Sequence, residues 1–511
     1  MPEGICYLVG AGPGDPLLLT LKGKSRLGRA QVVVYDSLCN PELLEFAPAD
    51  SEKIHAGKRA GDHTVPQQDI NALLIRETLA GKTVVRLKGG DPFLFGRGGE
   101  EAEALAAAGC RFEIVPGITS AIGGPAYAGI PVTHRSHNTT LTIFTGHEDP
   151  AKEGSSLDFR AIATAPGTKV MLMGIERLKT ISQSLLDSGM DPQTPVALVR
   201  EATTPRQQTL RGTLAGIAAQ AESTGFKAPA VAIFGEVATL GPKLRWFESL
   251  PLFGKRIAVT RTRSQAGALT ERLRELGADA YELPTIRTEP APDKRAFYEL
   301  VAYAHGYDWL VFTSPNGADA FFGAFYEIYR DARDLGGVRI ASVGPATAAR
   351  VNSFRFTVDI QPEKHTAENL VAALAKETSV ENLKILVVRP EGGRDVVSDQ
   401  LSKLGAIVDE AIAYRTVPET EANAAGIARF QKDGADLVTF TSGSTAENFQ
   451  KLGLPVSSST KFASIGPVTS AAMRQLGMRV DLEAETHDIP GLVAAIEKFF
   501  QREKTPKPSG G

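Results

Sequence analysis

One spacing constrains this chain more than any other feature. The run KRIAVTR ending at Arg261 returns as KILVVR ending at Arg389, and Leu276-Gly277-Ala278 returns as Leu404-Gly405-Ala406. Arg287-Thr288 returns as Arg415-Thr416, and Phe312-Thr313-Ser314 as Phe440-Thr441-Ser442. The offset is 128 residues each time (389 − 261 = 415 − 287 = 441 − 313). Ser342-Val343-Gly344-Pro345 then pairs with Ser464-Ile465-Gly466-Pro467 at 122 (464 − 342). A constant offset across several motifs implies two similar α/β lobes, each with an arginine, a Thr-Ser pair and a Gly-Pro turn at strand ends. The pattern restarts after Pro251-Leu252-Phe253-Gly254. Residues 254–500 are therefore expected as one domain of two repeated lobes, with 246–253 as the linker and 501–511 as a disordered polar tail.

The repeated turns point to a ligand. Thr313-Ser314-Pro315-Asn316-Gly317 and Thr441-Ser442-Gly443-Ser444 each precede a helix. Hydroxyls and bare N-terminal amides can receive carboxylates or phosphates there, although simple N-capping is the commoner use of Ser and Thr. The motif occurs twice and is expected to face one cleft, which favours a polyanionic ligand. No G-x-S-x-G elbow supports nucleophilic catalysis by Ser314 or Ser442.

The first half is organised around Val84 to Glu101, VVRLKGGDPFLFGRGGEE. Val84, Val85 and Leu87 read as a buried strand. Glycine breaks follow at Gly89-Gly90 and Gly96 to Gly99, and a helix is expected from Glu100-Glu101 to Gly109, its acids favoured by the helix dipole. Two glycine breaks leave backbone groups bare at the C-terminal edge of a sheet, where open α/β folds bind ligands. Upstream, Gly10-Ala11-Gly12-Pro13-Gly14-Asp15 imitates a dinucleotide fingerprint, with Asp36 ending the next strand. The match fails because Asp15 stands at the third glycine position and Pro13 removes an amide. An acidic, rigid loop disfavours NAD and suits a ligand without phosphates, even a cationic one. Small residues after Pro116-Gly117 place a lobe boundary near residue 118, and a second α/β lobe is expected over 119–245.

Lys plus Arg is 56 against 59 for Asp plus Glu, so no basic excess marks a nucleic-acid binder. Cys6, Cys39 and Cys110 lack metal-site spacing, and His134, His137 and His147 lack acidic or thiol neighbours at ligand spacing; no metal is expected. No apolar run reaches the length of a membrane span. A soluble, cytoplasmic α/β enzyme is the expectation.

The first half resembles the uroporphyrinogen-III C-methyltransferases of the tetrapyrrole methylase family over about residues 3–245. The resemblance rests on VGAGPGDPLLLTLKG, VVYDSL, GKRAG, RLKGGDPFLFGRGGEE, VPGITSAIGGPAYAGIPVTHR and TGHE. The second half resembles the uroporphyrinogen-III synthases over about residues 254–500, through VFTSPNGADAFF, SVGPATA, HTAENL, AYRT and TFTSGSTAENF. The synthase product is the methylase substrate, so each half strengthens the other. The resemblance implies two two-lobed α/β folds and a fusion of consecutive steps toward sirohaem and cobalamin. Hydroxymethylbilane would be closed to uroporphyrinogen III with inversion of the last ring. S-adenosylmethionine would then methylate C2 and C7 to give precorrin-2, leaving S-adenosylhomocysteine.

By the same resemblance the methyl donor would touch Pro13, Gly89, Gly90, Asp91, Leu94, Thr119, Ser120, Met173, Ala202 and Ala230. Family members often carry glycine at Ala202 and isoleucine at Leu94. Asp36 matches the position proposed as base, Lys58 the proposed acid, and Tyr414 the tyrosine proposed to assist loss of water. A strand-end cap for Asp36 and a packing role for Tyr414 are the plain alternatives. Carboxylate partners on the tetrapyrrole are expected at Arg59, Arg97, His134 and Arg135 in the first half. In the second they are expected at Arg261, Thr313, Ser314, Asn316, Gly344, Arg389, Thr441, Ser442 and Ser444. A homodimer through the methylase half follows by family analogy. Iron insertion and precorrin-2 oxidation are expected elsewhere, because the dehydrogenase/ferrochelatase domain of sirohaem synthases finds no match. Two other readings stay open: a methylase acting on a later corrin intermediate, and a C-terminal half that binds tetrapyrroles without catalysis.

Overall fold

Short β-branched runs bounded by glycine become buried strands. The computed structural model describes residues 4–57, 65–147, 157–261, 263–392, 396–419 and 424–504. The chain divides into two units. One holds Met1–Arg256 with Arg272–Ala280 and Phe500–Gly511, and the other Ile257–Glu271 with Tyr281–Phe499.

In the first unit, β1 (Ile5–Gly10), β2 (Val32–Tyr35), β3 (Glu52–His55), β4 (Thr83–Lys88) and β5 (Arg111–Val115) form a parallel sheet in the order β3-β2-β4-β1-β5. Leu8, Val9, Val32, Val33, Val34, Val84 and Val85 are fully buried, and helices cover both faces. The strand order reverses between β4 and β1, so their C-terminal loops open onto the crevice where such sheets bind ligands. The helix after β4 begins at Gly98, two residues before the expected start, and ends as expected ahead of Gly109, whose φ is +70°.

A second sheet follows. Its strands are β6 (Leu141–Thr145), β7 (Thr168–Leu172), β8 (Pro195–Arg200), β9 (Gln208–Thr213) and β10 (Ala230–Phe234), in the order β6-β7-β10-β8-β9. Here β6 and β7 are parallel, while β10 runs antiparallel to both β7 and β8. The helix Ser120–Tyr127 packs Ala121 into the core with Val170, Leu172, Ala202 and Val231. Residues 246–253, expected as a linker, are packed. Phe247 and Leu252 are buried, Trp246 donates to the Ala126 carbonyl at 3.0 Å, and Phe247 stacks edge-on against Tyr127.

The remaining strands are β11 (Arg256–Val259), β12 (Asp279–Glu282), β13 (Ile286–Pro290), β14 (Trp309–Phe312), β15 (Arg339–Ser342), β16 (Lys384–Pro390), β17 (Ile407–Pro418), β18 (Leu437–Phe440), β19 (Lys461–Ser464) and β20 (Leu482–Glu483). They form two sheets, β12-β11-β18-β19-β20 and β13-β17-β16-β14-β15. Two similar α/β lobes are present, but they are not the two sequence repeats. Each sheet joins the front of one repeat to the back of the other. Ile257 of β11 pairs with Leu437 of β18, and its repeat partner Ile385 of β16 pairs with Trp309 of β14. Ala463 pairs with Leu482 in one sheet, and Ala341 bridges Ile360 in the other. The registers are equivalent; the parentage is exchanged.

The exchange happens where β13 and β17 cross antiparallel. Thr288 faces Thr416, its own repeat partner, with Arg287 opposite Val417 and Glu289 opposite Arg415. A pseudo-twofold axis therefore passes between the two threonines. One lobe is continuous in sequence from β13 through β17, and the other is assembled from the segments before and after it. The final helix, Ile489–Lys504, runs four residues into the expected tail; the rest of that tail lies outside the described residues.

Candidate active sites

In the first unit three loops meet so closely that only glycine fits. A Cβ on Gly10 would lie 2.5 Å from Gly117 and 2.7 Å from the Gly90 carbonyl. Gly12 and Gly90, both at positive φ, exchange backbone hydrogen bonds of 3.2 and 2.8 Å. Asp91 fastens the junction, one oxygen accepting from the Phe93 amide at 2.8 Å and the other from Gly117 at 3.0 Å. Pro13 packs on the helix at Gly123, where an added Cβ would meet its ring at 2.8 Å. Thr119 caps that helix through the Ala121 amide. Leu94 packs against the core cluster that holds Ala202 and Leu172.

Of the residues expected at the methyl donor, the structure thus brings Pro13, Gly89, Gly90, Asp91, Leu94, Thr119, Ser120 and Ala202 around one set of loops. Met173 follows β7 with φ +55° and is half exposed, and Ala230 opens β10 opposite Arg200, near Ala202. The turn at His134 and Arg135 is anchored differently. Asn138 holds the His134 amide and the Thr168 hydroxyl, at the edge of β7 opposite Met173. Arg97 has left-handed backbone at the helix start and grips Glu100 at 2.7 Å. Lys58 and Arg59 lie outside the described residues.

Asp15 is tied into the fold. Its carboxylate caps the Leu17 amide at 2.8 Å and accepts from the Tyr127 hydroxyl at 2.7 Å, while its amide donates to Thr203 at 3.0 Å. The acid therefore pins the loop to the second sheet. Burial, then Asp15, pushes the Tyr127 phenol well above its usual range.

A buried ionic network beneath Asp36 escaped sequence reading. Arg86 stands 2.5 Å from Asp36 and 3.0 Å from Glu101, and Lys88 reaches the same Glu101 oxygen at 2.9 Å. Glu101 lies in the first helical turn, as expected, and is fully buried there. Burial acts to lower the Arg86 pKa, but Glu101 and Asp36 outweigh it and hold the guanidinium above its usual range. Burial, with the Arg86 charge, holds Lys88 below the usual lysine range. The available signal was Arg86 and Lys88 alternating within an apolar central strand, since buried cations require partners. Asp36 keeps part of its side chain exposed, with one oxygen held by Arg86 and Oδ2 carrying no hydrogen bond among the described residues. Burial also pushes the Cys6 and Cys39 thiols up to about 12, which leaves them unreactive.

In the second unit the repeated turns sit at equivalent strand ends. Ser314 and Ser442 act as N-caps, accepting from the Gly317 and Thr445 amides at 3.1 and 3.3 Å, and Thr313 donates to the Val388 carbonyl at 3.0 Å. The capping role named as the commoner use is present at both serines, and it occupies their oxygens as acceptors. Ser444 bonds Ser442 at 2.9 Å, while Gly344 precedes its helix without a side-chain cap. Two features exceed the repeat. Tyr414, buried on β17, places its hydroxyl 3.0 Å from Ser314 Oγ, whereas its repeat counterpart is Ile286. Arg389 pairs with Glu410 at 2.7 Å, but Arg261 has no carboxylate partner among the described residues, and burial holds its pKa below the usual arginine range. Asn316 donates to Thr288 on the pseudo-axis at 3.4 Å. Beside Tyr414 and Asn316 lies a cavity of about 500 Å³ lined also by Phe297, Ala320 and Ala324.

Among the described residues no cluster of three His, Cys, Asp or Glu could hold a metal, and no helix is long and apolar enough to cross a membrane.

Comparison with known proteins finds two families along the chain. Residues 6–218 match the model for tetrapyrrole (corrin/porphyrin) methylases, and 267–494 the model for uroporphyrinogen-III synthase HemD. The chain is 37% identical over 484 residues to "Porphyrin biosynthesis protein HemD" of Ruminiclostridium josui, covering 94% of this chain and 95% of that protein. It is 52% identical over 237 residues to the S-adenosyl-L-methionine-dependent uroporphyrinogen III methyltransferase of Methanosarcina barkeri, covering 46% of this chain and 93% of that one. A crystal structure of uroporphyrin-III C-methyl transferase from Thermus thermophilus with S-adenyl homocysteine is 40% identical, covering 46% of this chain and 100% of its own, with a TM-score of 0.41. The chain belongs to the tetrapyrrole methylases through its first half and to the uroporphyrinogen-III synthases through its second.

Proposed function

We propose that this chain catalyses two consecutive steps. The second half closes hydroxymethylbilane to uroporphyrinogen III with inversion of the last ring, and the first half methylates that product at C2 and C7 with S-adenosylmethionine to give precorrin-2. The observation that carries this reading is the end-to-end match to a single porphyrin-biosynthesis protein, with a methylase half and a synthase half in one chain.

The donor would rest on the loops around Pro13, Gly90, Asp91, Thr119 and Ala202, with Met173 and Ala230 at its rim. A sulfonium methyl is already activated, so the protein has mainly to align it with an electron-rich pyrrole carbon. Asp36, with one oxygen held by Arg86, then accepts the proton released as the double bonds rearrange. Lys58 would return a proton, and Arg59, Arg97, His134 and Arg135 would meet acid side chains of the macrocycle.

In the second half, Arg261, which has no carboxylate partner among the described residues, would hold an acid group of the linear substrate. Amides and hydroxyls at Thr313, Asn316, Gly344, Thr441, Ser442 and Ser444, with Arg389, would fold the chain for closure. The Tyr414 phenol would donate its proton to the departing hydroxyl, which leaves as water.

Incubation of the full chain with hydroxymethylbilane, with and without S-adenosylmethionine, tests the proposal by absorbance and mass. Type III product alone, becoming dimethylated when the donor is added, is the expected result. Only the type I isomer from spontaneous closure, with authentic type III still methylated, would reduce the second half to a binding module. Failure to methylate authentic type III would overturn the first assignment.

A further inference from the structure

We propose that Ser314 and Asn316 are positioning residues that load the Tyr414 phenol oxygen with donated hydrogen bonds, so that its own proton points toward the substrate. The inference rests on the synthase reading above and deepens it.

Either hydroxyl can donate across the 3.0 Å Ser314–Tyr414 contact, and the cap at Ser314 favours donation from the serine. Ser314 Oγ already accepts from the Gly317 amide at 3.1 Å as the cap of the helix Pro315–Ile328. That hydroxyl still has one proton to give, and Tyr414 Oη lies 3.0 Å away. Asn316 lines the same cavity as Tyr414, and together with Ser314 it opposes the upward push of burial on the Tyr414 pKa. Donors that lower a phenol's pKa bind its deprotonated form, so both side chains favour the state left after proton transfer.

The pseudo-twofold supplies an internal comparison. Ser442 caps its helix as Ser314 does, yet the repeat counterpart of Tyr414 is Ile286. Capping alone therefore needs no phenol; the Ser314–Tyr414 contact belongs to one lobe only. In the step itself, the phenol O–H breaks as its proton moves to the leaving hydroxyl. The substrate C–O bond breaks with its electron pair on the departing water, and a carbocation stabilised by the pyrrole remains. The phenolate is held by the Ser314 O–H and the Asn316 side-chain N–H. The proton lost from the attacking pyrrole carbon on closure restores the phenol.

The test is a double-mutant cycle in the full-length protein, reading the rate of type III formation from hydroxymethylbilane over spontaneous type I closure. Ser314→Ala is expected to lower kcat at least tenfold with KM within about twofold, and to cost nothing further in a Tyr414→Phe background. Ser314→Asp, which keeps a good cap but has no proton to give, falls in kcat as far as Ser314→Ala without its loss of thermal stability. Ser314→Thr, which keeps both cap and proton, retains kcat. Ser442→Ala, removing the equivalent cap, raises KM rather than lowering kcat. The proposal is overturned if Ser314→Ala and Tyr414→Phe multiply, if Ser314→Asp matches the parent, or if Tyr414→Phe leaves kcat unchanged. Absence of type III product from the unmodified protein would instead strike the synthase reading itself.

Discussion

The base role proposed for Asp36 and its ion pair with Arg86 can be separated by substitution. Asp36→Asn keeps the strand end and leaves Arg86 on Glu101, so the protein should keep its melting temperature within a few degrees. Methylation should fall by roughly 100- to 10,000-fold, the usual range for a lost general base; single-turnover methyl transfer measures it, and a near-normal rate would remove Asp36 from the chemistry. Arg86→Leu does the reverse. It leaves the buried Glu101 with only Lys88 and Gln67 as side-chain partners among the described residues and should destabilise the first unit by about 3 kcal/mol, measured by urea unfolding. The sequence exposed Asp36 because a strand ended on it. It hid Arg86, Lys88 and Glu101 because their pairing depends on a helix laid across a sheet, which no local spacing records.

Loops and crossing strands were legible to different degrees. The glycine breaks around β4 announced a tight junction, and the contacts of Gly10, Gly90 and Gly117 explain why. Gly10→Ala should weaken binding of S-adenosylhomocysteine tenfold or more by calorimetry, whereas Gly28→Ala, where an added Cβ meets nothing nearer than 3.6 Å, should leave it unchanged. The acid at Asp15 argued in sequence against a phosphate ligand, but its ties to Tyr127 and Thr203, more than a hundred residues away, were not legible there. At the β13–β17 crossing, Glu289 joins Arg287 at 2.8 Å and Arg415 at 2.6 Å, and these bonds lower its pKa from 4.5. A depressed carboxylate contributes stability that is present above the unfolded value and is lost as pH falls through the folded one. Glu289→Gln should therefore be less stable than the parent near neutrality, with the gap closing below about pH 4.5. Melting curves across that range check the sign.

At the scale of the molecule, the 128-residue offset disclosed two lobes but not their parentage. Identical spacing fits lobes laid end to end equally well, and only strand pairing distinguishes the alternatives. With halves exchanged, the repeat is not a folding unit. A fragment covering 284–419 holds every strand of the continuous lobe and should give dispersed amide resonances and a cooperative melt. A fragment covering 254–382, one whole repeat, holds neither complete sheet and should give neither; a cooperative melt from it would contradict the exchange. The nesting also sets an order of events on the ribosome. Ile257, Ala258 and Val259, all fully buried at the end, emerge 180 residues ahead of their partner strand at Leu437 (437 − 257). At about 5–20 residues per second this is a wait on the order of 10–40 s, during which the enclosed lobe can be completed and the enclosing one cannot. Synthesis thus finishes the inner lobe first, and the apolar strand left waiting is a natural client for a chaperone.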